Sequence, residues 1–230
     1  MSTKRLKFYQ TTIGKKVIMA ISGLILIGFV VGHMVGNLQI FGELLETGKG
    51  QKALDEYAAF LHSMPAVLWG ARSVLIIAIF AHFWSAFSLI RQNRAARPQK
   101  YKRQVSQVTT YAAKTMKYGG FIVLFFIIYH LLHLTLGKVG PDGFEVGKVY
   151  ANVVTGFSNP IISGFYIFAQ LFLGLHLYHG IWSLMQTLGL SHDRFNAMRK
   201  SISSLIALVI TAGNISIPVA VLAGLLKLKA

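Results

Sequence analysis

A chain of 230 residues, 54% hydrophobic, 13% charged and free of cysteine, is too apolar for an ordinary soluble domain of its length and reads as a membrane protein. The apolar fraction excludes disorder, and the missing thiols exclude a disulfide scaffold, a Cys-ligated iron-sulfur cluster, a thiolate zinc site and a covalently attached c-type haem. The formal charge of +16 invites a nucleic-acid partner, so the positions of the basic residues must be weighed before their number.

The N-terminal arm carries Lys4, Arg5, Lys7, Lys15 and Lys16 and leads into the first of five long apolar stretches, Val17 to Ile40. That stretch is too long for a signal peptide and lacks a small-residue cleavage site. The connection that follows holds Glu43, Glu46, Asp55 and Glu56, and its Leu54, Tyr57, Ala58 and Leu61 have the spacing of a short helix lying in the interface. Pro65 opens the second stretch, Pro65 to Ile90, at a position where a missing backbone donor costs little. A basic connection with Arg91, Arg94, Arg97, Lys100, Lys102, Arg103, Lys114 and Lys117 precedes the third stretch, Gly119 to Gly137. A second connection long enough for a surface helix, Lys138 to Pro160, leads to the fourth stretch, Ile161 to Leu190. Arg194, Arg199 and Lys200 come before the fifth, Ser203 to Leu226, where Pro218 after Gly213 and Asn214 predicts a kink or local unwinding.

Crossing a hydrocarbon core of roughly 30 Å takes about 20 helical residues, which each stretch supplies, and no alternating barrel pattern is present. The expected fold is all-α: a transmembrane bundle of five helices forming a single integral membrane domain over residues 1–230, with no soluble domain or low-complexity tract. Basic residues crowd the N-terminal arm and the second and fourth connections. The first and third connections instead hold Lys49, Lys52, Lys138 and Lys148 against Glu43, Glu46, Asp55, Glu56, Asp142 and Glu145. This asymmetry predicts an N-terminus on the inside and explains the positive charge without nucleic acid. A share of that charge is available to dock an acidic soluble partner or anionic membrane lipid.

Of the 8 histidines, His33, His82, His130, His133, His176 and His179 fall within the apolar stretches, whereas the last stretch has none. An ionisable side chain in lipid must face the bundle interior and find a partner. A hydrogen bond to a neighbouring helix would satisfy any one of them, but fits poorly as an account of all. At 1.5 Å rise per residue, His33 and His130 each lie roughly 10 Å from the outer end of their spans, while His82 lies roughly 12 Å from its inner end and His176 is mid-to-inner. Two pairs of histidines from four helices, one layer near each face, suit bis-imidazole ligation of two haem irons. The spans contain no Asp or Glu, which argues against a dinuclear carboxylate site and weakens a proton relay. Zinc would ask for ligands converging at one depth. Periodicity alone does not choose between His130 and His133, or between His176 and His179, since residues three apart share a face.

Gly28, Gly32 and Gly36 leave a groove along the first span that admits a flat ring or, as this spacing more commonly does, another helix. Arg72, inside the second span, suggests a buried anion such as a haem propionate, with snorkelling toward the interface as the alternative. Trp69 and Trp182 need no cofactor to explain them.

These residues resemble the single-polypeptide, five-helix, two-haem cytochrome b anchor of succinate:quinone oxidoreductases, the group of succinate dehydrogenases and fumarate reductases. The resemblance covers nearly the whole chain. It rests on Gly32-His33-Met34-Val35-Gly36-Asn37, on Ala81-His82-Phe83 followed by Arg91-Gln92-Asn93-Arg94-Ala95-Ala96-Arg97-Pro98, on Tyr129-His130-Leu131-Leu132-His133, and on Leu175-His176-Leu177-Tyr178-His179-Gly180-Ile181-Trp182-Ser183. It implies His33 and His130 as axial ligands of an outer, distal haem and His82 and His176 as those of an inner, proximal haem. It also implies two haem b as cofactors, and a flavoprotein subunit and an iron-sulfur subunit docked on the inner face. Electrons would pass to a membrane quinone, menaquinone being expected in two-haem members. No quinone-binding acid is matched, which leaves His62 and Arg72 as candidates near the outer face. The chain itself has no flavin or dicarboxylate motif and so is expected to act as an electron-transfer subunit with no catalytic residues of its own, in a bacterial plasma membrane. The competing readings are a di-haem subunit of another dehydrogenase or hydrogenase, and a cofactor-free channel, transporter or assembly protein.

Overall fold

A computed structural model describes residues 7–46, 48–96, 111–190 and 192–228. Lys4, Arg5, Arg97, Pro98, Lys100, Lys102 and Arg103 of the basic segments lie outside the described residues. Among those described, the structure is entirely helical: α1 (Thr12–Leu38), α2 (Lys49–His62), α3 (Pro65–Ala95), α4 (Tyr111–His130), α5 (Val149–Ser158), α6 (Pro160–Thr187) and α7 (Asn196–Leu222), with short 3-10 segments between them. Five of these helical segments are long and apolar enough to cross a membrane. Side chains such as Ile77, Phe80, Phe125 and Leu205 stand more than half exposed on them, as a surface solvated by lipid requires.

The helices begin where local chemistry stops their free N–H groups from going unpaired. Thr11 Oγ1 accepts from Gly14 N at 2.9 Å at the start of α1, and Asn159 Oδ1 accepts from Ile161 N at 2.9 Å ahead of Pro160 in α6. Two helices, α1 and α7, run past the apolar stretches that define them. α1 takes in Lys15 and Lys16, and α7 starts at Asn196 rather than Ser203 and so takes in Arg199 and Lys200, because intrahelical bonds remain favourable at the membrane surface. The unwinding expected near Pro218 does not occur. α7 is continuous to Leu222, with Pro218 fully buried and Asn214 Nδ2 donating to Gln170 Oε1 at 3.1 Å across to α6.

The surface helices expected in the first and third connections are α2 and α5. The acids there secure backbone. Glu43 accepts from Gly48 N and Gln51 N ahead of α2, and Asp55 Oδ1 accepts from Tyr150 N at 3.0 Å in the first turn of α5. The Tyr150 hydroxyl donates to Lys227 O at 3.0 Å, and burial with the nearby Glu43 carboxylate pushes its pKa up. Ile40, Leu54, Val154 and Phe157 pack beneath this cap with Tyr166 and Ile217, while Met34, Leu177, Ala207 and Ile210 join α1, α6 and α7 lower down.

Helix pairing decides where space is left. α1 packs on α3, α4 on α6, and α6 on α7, whereas neither α1 nor α3 forms an extended backbone contact with α4 among the described residues. α1 also touches α6 and α7, so the gap bridged by side chains lies between α1 and α4 and between α3 and α6.

Candidate functional site

The side chains that meet across this gap are imidazoles. His33 on α1 and His130 on α4 have ring centroids 5.7 Å apart at an interplanar angle of 87°, and His82 on α3 and His176 on α6 have theirs 6.2 Å apart at 58°. With nitrogen–metal bonds of about 2.0 Å, two imidazoles reaching one metal from opposite sides have ring centres about 6 Å apart.

Glycines set the two levels. A Cβ on Gly23 of α1 would stand 3.3 Å from His82 Cε1, and one on Gly120 of α4 would stand 3.8 Å from His176 Cε1. His33 follows Gly23, and His130 follows Gly120, by the same ten residues. Both helices thus carry the second imidazole about 15 Å further along the bundle.

Hydrogen bonds orient one ring and leave others open. Ser22 Oγ donates to Ile18 O at 2.7 Å and lies 3.3 Å from His82 Nδ1, so the oxygen is free to accept the Nδ1 hydrogen and leave Nε2 with its lone pair. His130 Nδ1 and His176 Nδ1 are buried without a partner among the described residues. Phe29 stacks on His33 with centroids 5.3 Å apart, and Phe126 lies 5.8 Å from His130. Among the described residues no three His, Cys, Asp or Glu side chains converge as a metal site. Each pair is therefore a two-ligand set of neutral donors, which fits a metal whose remaining positions are filled by a macrocycle rather than a tetrahedral zinc ion.

The close histidine pairs part company in three dimensions. After His130 the helix widens into a π-helical turn, Leu131–Thr135, and His133 within it faces the cap formed by α2 and α5. His133 is buried between Gly140 and Gly156, and its Nδ1 lies 2.9 Å from the Tyr166 hydroxyl. Gly140 has φ +105, and a Cβ there would stand 2.5 Å from the His133 ring, so that position admits only glycine. His179 is half-buried, with no hydrogen bond among the described residues, and joins neither pair.

The remaining candidates stand apart from these pairs. His62 is exposed at the end of α2, where Nδ1 donates to Ala58 O at 2.8 Å. Arg72 lies 4.9 Å over the Trp69 ring. Along the Gly28/Gly32/Gly36 groove, Gly36 meets Tyr57 of α2, and among the described residues nothing lies within 4 Å of a Cβ placed on Gly28 or Gly32. Ser22, Tyr166 and Arg199 had no sequence signal beyond their residue type. Arg199 in particular reads as a surface charge next to Lys200, yet it is 2% exposed.

The family described as succinate dehydrogenase/fumarate reductase transmembrane subunit matches the chain over residues 90–215, from the end of α3 through most of α7. That span includes His130 and His176 but not His33 and His82. No curated protein and no solved structure matches the chain.

Proposed function

The chain belongs to the family of succinate dehydrogenase/fumarate reductase transmembrane subunits, an integral membrane protein that works in a complex with other subunits, and we propose that it is the two-haem cytochrome b anchor through which electrons pass between the iron-sulfur subunit and a membrane quinone. The observation that carries this reading is the pair of imidazole tiers, each built from two helices that form no extended backbone contact with each other among the described residues. His33 and His130 would hold the outer haem b, and His82 and His176 the inner one. When bound, the two haems supply one-electron centres at two depths of the membrane. The protein contributes neutral imidazoles, fixes the His82 tautomer through Ser22, and surrounds the outer pair with Phe29, Phe126 and Tyr166 so that water is kept from the iron.

The partners proposed are a flavoprotein and an iron-sulfur subunit on the inner face, with menaquinone as the quinone and a bacterial plasma membrane as the location. Arg72 and His62, on the outer half, remain the candidates for a propionate and for the quinone. If quinone chemistry occurs near the outer face, each electron crosses much of the bilayer, worth up to about 2.3 kcal/mol per 100 mV.

Two measurements test this assignment. The purified protein is expected to show low-spin haem b at about two per chain by absorption and pyridine haemochrome analysis, as bis-imidazole ligation demands; a colourless protein would leave only the transporter or assembly reading. Gentle isolation should bring down a flavoprotein with succinate:quinone activity, and a nickel or molybdenum enzyme in its place would assign the chain to another dehydrogenase. The N-terminus is proposed to lie inside. Reporter fusions should place it there and the loop carrying Asp142 and Glu145 outside; the opposite result would invert the assignment of inner and outer tiers.

A further inference from the structure

Arg199, in the first turn of α7, is 2% exposed, and its Nε and Nη1 are enclosed with no hydrogen-bond partner among the described residues. Four residues further on, Ser203 is 0% exposed and its hydroxyl is equally unpartnered. Residues at this spacing share a helix face, so the two N–H groups and the hydroxyl make one cluster of donors. The guanidinium has one polar contact, from Nη2 to Asn196 Oδ1, and Asn196 donates onward to Asp193 Oδ1 at 3.0 Å. Its face rests 4.5 Å from the Trp182 ring. The ion pairs among the described residues are Lys52–Glu56 and Lys148–Glu145, both remote in sequence from Arg199 and at the outer connections. A cation buried without a counter-charge is strongly destabilising, so an anion supplied from outside the chain is called for.

The level of the cluster narrows the choice. Gly213 of α7 packs against Met34 Sδ of α1, and α1 and α7, as first and fifth spans, run in the same direction. Counting back about 21 Å along each helix brings Arg199 level with Met19 and Ala20. Ser22, which holds His82, is the next turn of α1. Two further turns of α1, down to Thr12, lie below that level. The donors therefore sit inside the bundle, closed to lipid, on the inner side of the inner imidazole tier: Trp182, on which Arg199 rests, follows His176 by six residues, about 9 Å along α6, so the donors face up toward the rim of a macrocycle held at that tier.

We infer that Arg199 and Ser203 receive a propionate carboxylate of the inner haem, an inference that rests on the haem reading above. The positive charge of Arg199 then favours the reduced iron of that tier over the oxidised one, and Arg199 acts as a positioning and potential-setting residue rather than a catalytic one.

The test is a redox titration of the purified complex, with the inner haem identified as the signal missing from a His82→Leu variant. Arg199→Gln is expected to lower the midpoint potential of the inner haem alone, or to reduce haem content from two per chain to one, and to move a propionate band in the redox-difference infrared spectrum. Arg199→Lys should restore most of the wild-type potential. Two haems with unchanged potentials and an unmoved band in Arg199→Gln would overturn the inference, and loss of bound lipid phosphorus in that variant would name a phosphate as the occupant instead. If Arg199→Gln does not accumulate in membranes, Ser203→Ala decides: a shifted carboxylate band supports the site and an unshifted one rejects it. Wild-type protein without haem would defeat the underlying reading, whereas haem-replete wild type with an indifferent Arg199 defeats only this inference.

Discussion

Replacing His176 or His82 with leucine is expected to remove one of two haems and leave the other in place. The two rings face each other with centroids 6.2 Å apart, and each is contributed by a different helix of the bundle. Leucine fills a similar volume in an apolar setting, so the helices should still assemble, and the loss falls on ligation. Losing only the hydrogen-bond partner of a metal-bound histidine costs 10–100-fold, so loss of the ligand itself should lower quinone-linked succinate oxidation by roughly 100-fold or more. Succinate oxidation by an artificial acceptor at the flavoprotein should persist. Haem quantification with parallel assays of both activities checks this. Two intact haems in either variant would show that the inner pair is not an iron site. A Ser22→Ala change removes the oxygen next to His82 Nδ1 without touching the ring, and should weaken the inner haem's retention without abolishing it.

The second large effect separates two histidines three residues apart. His130→Leu should abolish the outer haem, since its ring is the one 5.7 Å from His33. His133→Phe should keep both haems and lose stability instead. It removes the acceptor or donor at 2.9 Å from the Tyr166 hydroxyl and leaves that buried hydroxyl unpaired, a cost of about 1–3 kcal/mol. The measurable outcome is a lowered thermal midpoint in detergent with an unchanged haem spectrum. Retention of the outer haem in His130→Leu together with its loss in His133→Phe would reverse the choice and assign the buried, Tyr166-bonded ring to iron.

Much of the architecture was readable because the bilayer imposes a one-dimensional rule. A run of about 20 apolar residues with flanking charge must form a crossing helix, and all five were found. Pro65 and Pro160 mark helix starts for a reason internal to the backbone, the absent N–H, and both stand in the first turn. Depth could be counted for the same reason, since a helix advances by a constant rise; this brought His33 to the level of His130 and His82 to that of His176 before any contact was known.

Choice within a face lay beyond that rule. His130 and His133 are equivalent by periodicity. Only the π-turn after His130, the left-handed Gly140 and the Tyr166 hydroxyl on another helix send one ring across the gap and the other into the cap. Arg199 likewise belongs by composition to a basic segment, and only the packing of α7 against Trp182 encloses it. Hydropathy and helical rise are properties of one segment at a time, which is why the spans, their order and the depth of each histidine followed from the residues alone. Which ring meets which, what each nitrogen bonds and which charge is sealed from solvent depend on contacts between segments far apart in the chain, and those exist only once the helices have packed.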